Sequence, residues 1–75
     1  MADETLDLRG LKCPLPALMA RRALARLGPG AIVTVLASDP LAAVDIPHMC
    51  GEEGHEVENV TRQDTHILFR IRRKA

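Results

Sequence analysis

Gly10-Leu11-Lys12-Cys13-Pro14-Leu15-Pro16 stands between a short alternating apolar run and a long helical pattern, and it reads as a strand-to-helix junction carrying a thiol. Pro14 suits the first helical position, where a missing N–H has no intrahelical partner to lose, and it biases the residue before it toward extended backbone. Cys13 is therefore expected at the N-cap. The first N–H groups of a helix are unpaired and carry the positive end of its dipole, which favours thiolate over thiol. Pro14 and Pro16 lack donors, so Leu15 and Ala17 would supply the N–H groups facing the sulfur. Lys12 and Arg9 add cationic charge nearby. These features predict an exposed, acidified and nucleophilic Cys13; the alternative is an inert cysteine at a helix start.

On the N-terminal side, Thr5 to Arg9 alternates, with Leu6 and Leu8 on one face and Asp7 and Arg9 on the other, as a half-buried strand does. On the C-terminal side, Pro14 to Leu27 follows a helical period. Pro16, Met19, Ala20, Ala23, Leu24 and Leu27 gather on one side, away from Arg21, Arg22 and Arg26. Leu18 falls on the polar side and Leu15 at its edge, so an apolar pair close to the thiol, with Arg21 and Arg22 beside it, offers a partner-docking surface. Isolated surface leucines are also ordinary.

Gly28-Pro29-Gly30 ends the helix, and the β-branched run from Ala31 to Ala37 predicts a central strand parallel to the first, since a helix joins them. Ser38-Asp39-Pro40 repeats the helix-start chemistry, with Asp39 capping, and Asp45-Ile46-Pro47 repeats it again. Pro47 predicts a kink or restart near Asp45. Ile46, Met49 and Cys50 share a face, which makes Cys50 a buried structural cysteine rather than a resolving thiol. Gly54 stops this helix. His55 to Thr61 and His66 to Arg72 then form a hairpin, with Ile67, Phe69 and Ile71 inward and His66, Leu68, Arg70 and Arg72 outward. The last two, with Arg73 and Lys74, make a basic strip at the C-terminal end.

The order βαβαββ predicts an α+β fold, a two-layer sandwich in which two helices pack on one face of a four-stranded mixed sheet. All 75 residues fit a single domain with a small core, since chains of this size bury only about 60% of their unfolded surface. Ten basic and ten acidic residues balance, which argues against direct nucleic-acid binding, and Phe69 as the sole aromatic gives no base-stacking platform. No apolar stretch suggests a signal peptide or a membrane span, so a cytoplasmic protein with two reduced thiols is expected. Cys13 and Cys50 are too far apart for a Cys-x-x-Cys pair. His48, Cys50 and His55 match no compact zinc pattern, and neither a metal nor a cofactor is expected. No Ser-His-Asp set or Gly-rich phosphate loop occurs, which leaves the thiol as the well-placed nucleophile.

Cys13-Pro14-Leu15-Pro16 resembles the Cys-Pro-x-Pro motif of the TusA-like, or SirA-like, sulfur-carrier proteins, and the stretch Leu6 to Lys12 resembles the family's lead-in. Pro29-Gly30, Ser38-Asp39-Pro40, Asp45-Ile46-Pro47 and Gly54-His55 extend the likeness over nearly the whole chain. The resemblance implies the same fold and a carrier that holds sulfur as a persulfide on Cys13. Gly10, Lys12, Pro14, Leu15 and Pro16 would support the motif. It further implies a cysteine desulfurase or other sulfur donor, a downstream acceptor protein, and a chain that is monomeric in isolation. Leu15 occupies the motif's variable position, where the members best known for transfer RNA thiolation carry an acidic residue; the pathway, and sulfur against selenium as cargo, stay open. The competing reading is a non-catalytic interaction or regulatory module in which the Cys-Pro-x-Pro turn is a structural helix cap.

Overall fold

The computed structural model describes residues 3–75, so the first two residues of the acidic N-terminal stretch lie outside it. Six elements follow in the expected order: β1 (Glu4–Asp7), α1 (Leu15–Arg26), β2 (Ile32–Ala37), α2 (Ala42–Glu53), β3 (Glu56–Arg62) and β4 (Ile67–Arg72). The strands form one mixed sheet in the order β1-β2-β4-β3. β1 runs parallel to β2, as a helical crossover requires, while β4 pairs antiparallel with both β2 and β3.

Register decides which side chains meet. Val33 lies opposite Ile71, Val35 opposite Phe69 and Ala37 opposite Ile67. These residues are buried and form one core with Leu24, Ala20, Ile46, Met49 and Cys50 from the two helices. The helices therefore cover a single face of the sheet. On the other face, Thr34 lies opposite Arg70 and Leu36 opposite Leu68, and these stay partly or fully exposed. Phe69, fully buried, is the largest side chain of this core.

β1 stops two residues earlier than the alternation predicts. The Arg9 N–H donates to the Asp7 carboxylate at 3.2 Å, an Asx-type turn that bends the chain away from the sheet, while Leu8 remains buried and its N–H still reaches the Leu36 carbonyl at 2.8 Å. On α1, Pro16, Ala20, Ala23 and Leu24 are buried as expected, but Met19 is exposed.

The predicted break in α2 does not occur as a restart: one helix runs from Ala42 to Glu53 with Pro47 inside it. Its start is tighter than a plain N-cap. Asp39 caps from ahead of a turn of short-range bonds, its carboxylate accepting the Leu41 N–H at 3.0 Å and its carbonyl accepting the Ala42 N–H at 3.0 Å. Gly54 ends the helix in the left-handed conformation, with φ of 83°, which a side chain at that position would oppose. The hairpin closes where predicted, the Gln63 N–H donating to the His66 carbonyl at 2.8 Å.

Candidate functional site

The β1–α1 junction, the start of α2 and the facing flanks of the two helices converge on Cys13. Gly10 turns with φ of 86° and donates its N–H to the Ser38 hydroxyl at 2.8 Å, which anchors the junction to the loop after β2. The Cys13 N–H donates to Asp39 Oδ2 at 2.6 Å. Since the other Asp39 oxygen caps α2, a single carboxylate ties the thiol-bearing loop to the start of the second helix. These contacts, with the neighbouring Lys12, hold the Asp39 carboxyl below its ordinary range.

Cys13 is not the N-cap. α1 begins at Leu15, Pro14 occupies the cap position with no side-chain capping bond, and the Cys13–Pro14 peptide is cis. The Leu15 N–H is taken by the Lys12 carbonyl at 2.9 Å, so it does not face the sulfur. The sulfur points across to α2 instead, where the thiol donates to Asp45 Oδ2 at 2.7 Å. That carboxylate, together with desolvation and the charge of Asp39, pushes the Cys13 thiol above its ordinary value. The acidified thiolate expected from the helix dipole is thus overturned, because a hydrogen-bonded anion at contact distance outweighs a dipole that the sulfur does not cap. Arg9 is engaged elsewhere, paired with Asp7 at 2.7 Å.

Cys13 is exposed and borders an open cleft of about 260 Å³ between the helices, lined by Pro14, Ala17, Leu18 and Arg21 on the α1 side and by Asp45, His48, Met49 and Glu52 on the α2 side. Of the residues expected to dock a partner, Leu18 and Arg21 line this cleft, whereas Leu15 and Arg22 are exposed beyond it. Leu15 and Leu18 are 46% and 44% exposed, large fractions for apolar side chains. Pro16 is buried and fixes the first turn of α1 to the core.

Sequence reasoning missed Asp45 as a neighbour of the thiol. Its place in an Asp-x-Pro triplet suggested a cap, and the contact spans 32 positions of sequence. The reading of the Cys-Pro-x-Pro turn as a structural cap also loses its footing, since the sulfur caps nothing. Cys50 is fully buried and its thiol is pushed up to about 11 by burial, so it offers no thiol to the surface. His48 lies on the cleft rim, 3.5 Å from Glu52, while His55 accepts the Lys74 N–H at 3.1 Å beyond the end of α2. Among the described residues no group of such side chains is arranged to hold a metal ion.

The C-terminal basic strip is largely spoken for. Glu58, at a bulge in β3, accepts from Arg70 at 3.2 Å and from Arg72 at 2.6 Å, and Arg73 turns back to donate to the Leu24 carbonyl at 2.7 Å.

The family model described as Sulfurtransferase TusA matches residues 4–73. A Neisseria meningitidis protein named as a candidate sulfur carrier is 47% identical over 64 residues, 85% of this chain and 86% of its own length. The sulfur carrier protein TusA of Pseudomonas entomophila is 38% identical over 73 residues, 97% of this chain and 91% of that protein. Among solved structures, the crystal structure of a SirA-like protein from Desulfitobacterium hafniense superposes with a TM-score of 0.83 at 30% identity, covering 96% of this chain and 99% of that one. With a match that begins in β1 and ends just past β4, the chain belongs to the TusA family.

Proposed function

We propose that this protein is a sulfur carrier that accepts sulfane sulfur on Cys13 as a persulfide and hands it to a downstream acceptor. The observation that carries the reading is the contrast between its two thiols: Cys13 is exposed at the mouth of an open cleft, and Cys50 is sealed in the core. A carrier needs one reachable sulfur and must keep any other out of the exchange.

The steps balance as thiol–persulfide exchange. Cys13 gives up its proton and its sulfur attacks the terminal sulfur of a donor persulfide; the donor's S–S bond breaks, and the donor leaves as a thiolate that takes up a proton. Cys13 now bears the second sulfur. In the return step an acceptor thiolate attacks that terminal sulfur, and Cys13 departs as a thiolate and is reprotonated. Donor and acceptor must approach in turn, and Leu18 and Arg21 line the cleft beside the sulfur, with Leu15 and Arg22 exposed beyond it. A cysteine desulfurase is the donor that fits, and a thiol-bearing enzyme, such as one that thiolates transfer RNA, is an acceptor that fits. Two free cysteines suit a reducing cytoplasm, and no helix of the described residues is long and apolar enough to cross a membrane.

Intact-mass analysis after incubation with a cysteine desulfurase and cysteine tests the proposal. One added sulfur atom is expected on the parent chain and on Cys50→Ser, and none on Cys13→Ser. Loading that survives Cys13→Ser, or that requires both cysteines, overturns it.

A further inference from the structure

Asp45 sits in the first turn of α2, where a carboxylate suits the helix dipole, but its own N–H is already bonded to the Leu41 carbonyl at 2.9 Å and its side chain caps nothing. The one hydrogen bond its carboxylate makes among the described residues is with the Cys13 thiol, at 2.7 Å. Asp45 is carried by a helix and Cys13 by a loop that Asp39 pins to the start of that helix, so the pair is held from both sides.

We propose, building on the carrier reading, that Asp45 is a positioning residue that distinguishes the empty carrier from the loaded one: its carboxylate seats the Cys13 thiol, which can donate to it, and turns away the persulfide. Two physical arguments lead there. The first is space. A second sulfur is added about 2.05 Å beyond Sγ, and on the α2 side that position collides with Asp45 Oδ2, which stands only 2.7 Å from Sγ. The added sulfur must therefore lie toward the open cleft, where a partner reaches it. The second is charge. A persulfide is more acidic than its parent thiol, because the adjoining sulfur helps to carry the negative charge, and an anionic terminal sulfur has no proton to donate and is repelled by a carboxylate. Loading thus breaks the Cys13–Asp45 bond, and delivery restores it.

The titratable and charged groups around this sulfur and its cleft are Arg21 from α1, Asp45, His48 and Glu52 from α2, and Asp39 from the loop after β2. Among these anions, Asp45 and Asp39 are the two whose charges raise the Cys13 thiol. The empty thiol is accordingly kept protonated and slow to react with stray electrophiles, which protects a carrier between partners.

The test follows alkylation of Cys13 by iodoacetamide from neutral to alkaline pH, read on the Cys13 peptide by mass spectrometry so that Cys50 does not contribute. It is made on the parent chain, Asp45→Asn, Asp45→Ala and, as a control that removes an anion elsewhere on α2, Glu53→Gln. Thermal melting of each sample confirms folding, and either Asp45 variant suffices. Both Asp45 variants should shift the profile of the empty thiol to lower pH and speed alkylation severalfold at neutral pH, whereas Glu53→Gln should leave it in place. After loading with inorganic polysulfide, the alkylation rate of the Cys13 persulfide should be the same with and without Asp45. A folded Asp45 variant whose empty-thiol profile coincides with the parent's overturns the role of Asp45, as does a persulfide whose rate changes as much as the thiol's. If polysulfide adds no sulfur to Cys13 of the parent chain, the carrier reading itself fails and takes the proposal with it.

Discussion

Asp39 shows how much a single side chain can organise in a chain of this size. One carboxylate oxygen accepts the Leu41 N–H and the other the Cys13 N–H, so the start of α2 and the position of the thiol are fixed together. Asp39→Ala removes both acceptors and should destabilise the fold, since a helix-start contact and the tie to the Cys13 loop are lost together. The thermal midpoint should fall, and hydrogen exchange at the Cys13 amide should quicken. Asp39→Asn keeps one acceptor but presents an amide donor to the other N–H, so it should restore only part of the loss. An Asp39→Ala variant with unchanged melting and unchanged exchange at Cys13 would show that the loop is held by other contacts. Because the fold lowers the Asp39 carboxyl, its contribution is present above the ordinary carboxylate range and disappears as acid protonates it.

At the scale of elements, α1 carries the exposed apolar surface proposed to meet partners beside the sulfur. Leu18 lines the cleft and is 44% exposed, so an aspartate there need not enter the core. Leu18→Asp should change stability by no more than about 0.5 kcal/mol, as surface substitutions do, while slowing both sulfur acceptance and delivery severalfold through loss of an apolar contact. Transfer at the parent rate by a stably folded variant would exclude Leu18 from the contact surface. The far end of α1 is held differently: the Arg73 guanidinium donates to the Leu24 carbonyl, which also accepts the Leu27 N–H at 3.4 Å. The elements themselves were legible in the sequence because the apolar spacing changes from alternation to helical period and back, with Gly28, Pro29, Gly30 and Gly54 as punctuation. The site was legible only in part. A one-residue displacement of the α1 start moved Cys13 out of the cap, and local spacing gives no hint that the side chain at Asp45, 32 positions on, would supply the decisive charge. Local chemistry names the nucleophile, whereas its acidity depends on how the two helix starts are brought together.

Over the whole molecule, two buried or half-buried groups bound the pH range in which the fold is most stable. Burial raises the Cys50 thiol from 9.0 to about 11, in a core it shares with Ile46, Met49 and Phe69. Between those values the unfolded chain releases the Cys50 proton and the folded chain retains it, so stability is complete below 9.0 and declines as pH rises toward about 11. His55 sets the other side. Its ring is lowered from 6.5 by desolvation, with Arg73 and Lys74 adding to the effect, and its Nδ1 accepts the Lys74 N–H, which requires the neutral ring. The unfolded chain takes up that proton more readily, so this contribution is present above 6.5 and is lost as pH falls below it. Melting temperature should therefore be nearly flat between 6.5 and 9.0 and should fall on both sides. The two shoulders are separable by substitution. Cys50→Ala should lower the plateau, through the small cavity it leaves in the core, and should reduce the alkaline decline. His55→Gln, which keeps an acceptor without the titration, should flatten the approach to 6.5 and leave the alkaline side as it was. The exposed Cys13, whose thiol is also raised, remains in the Cys50→Ala chain and contributes whatever alkaline slope persists. An alkaline decline in Cys50→Ala as steep as the parent's would place the titration that unfolds the protein somewhere other than its core.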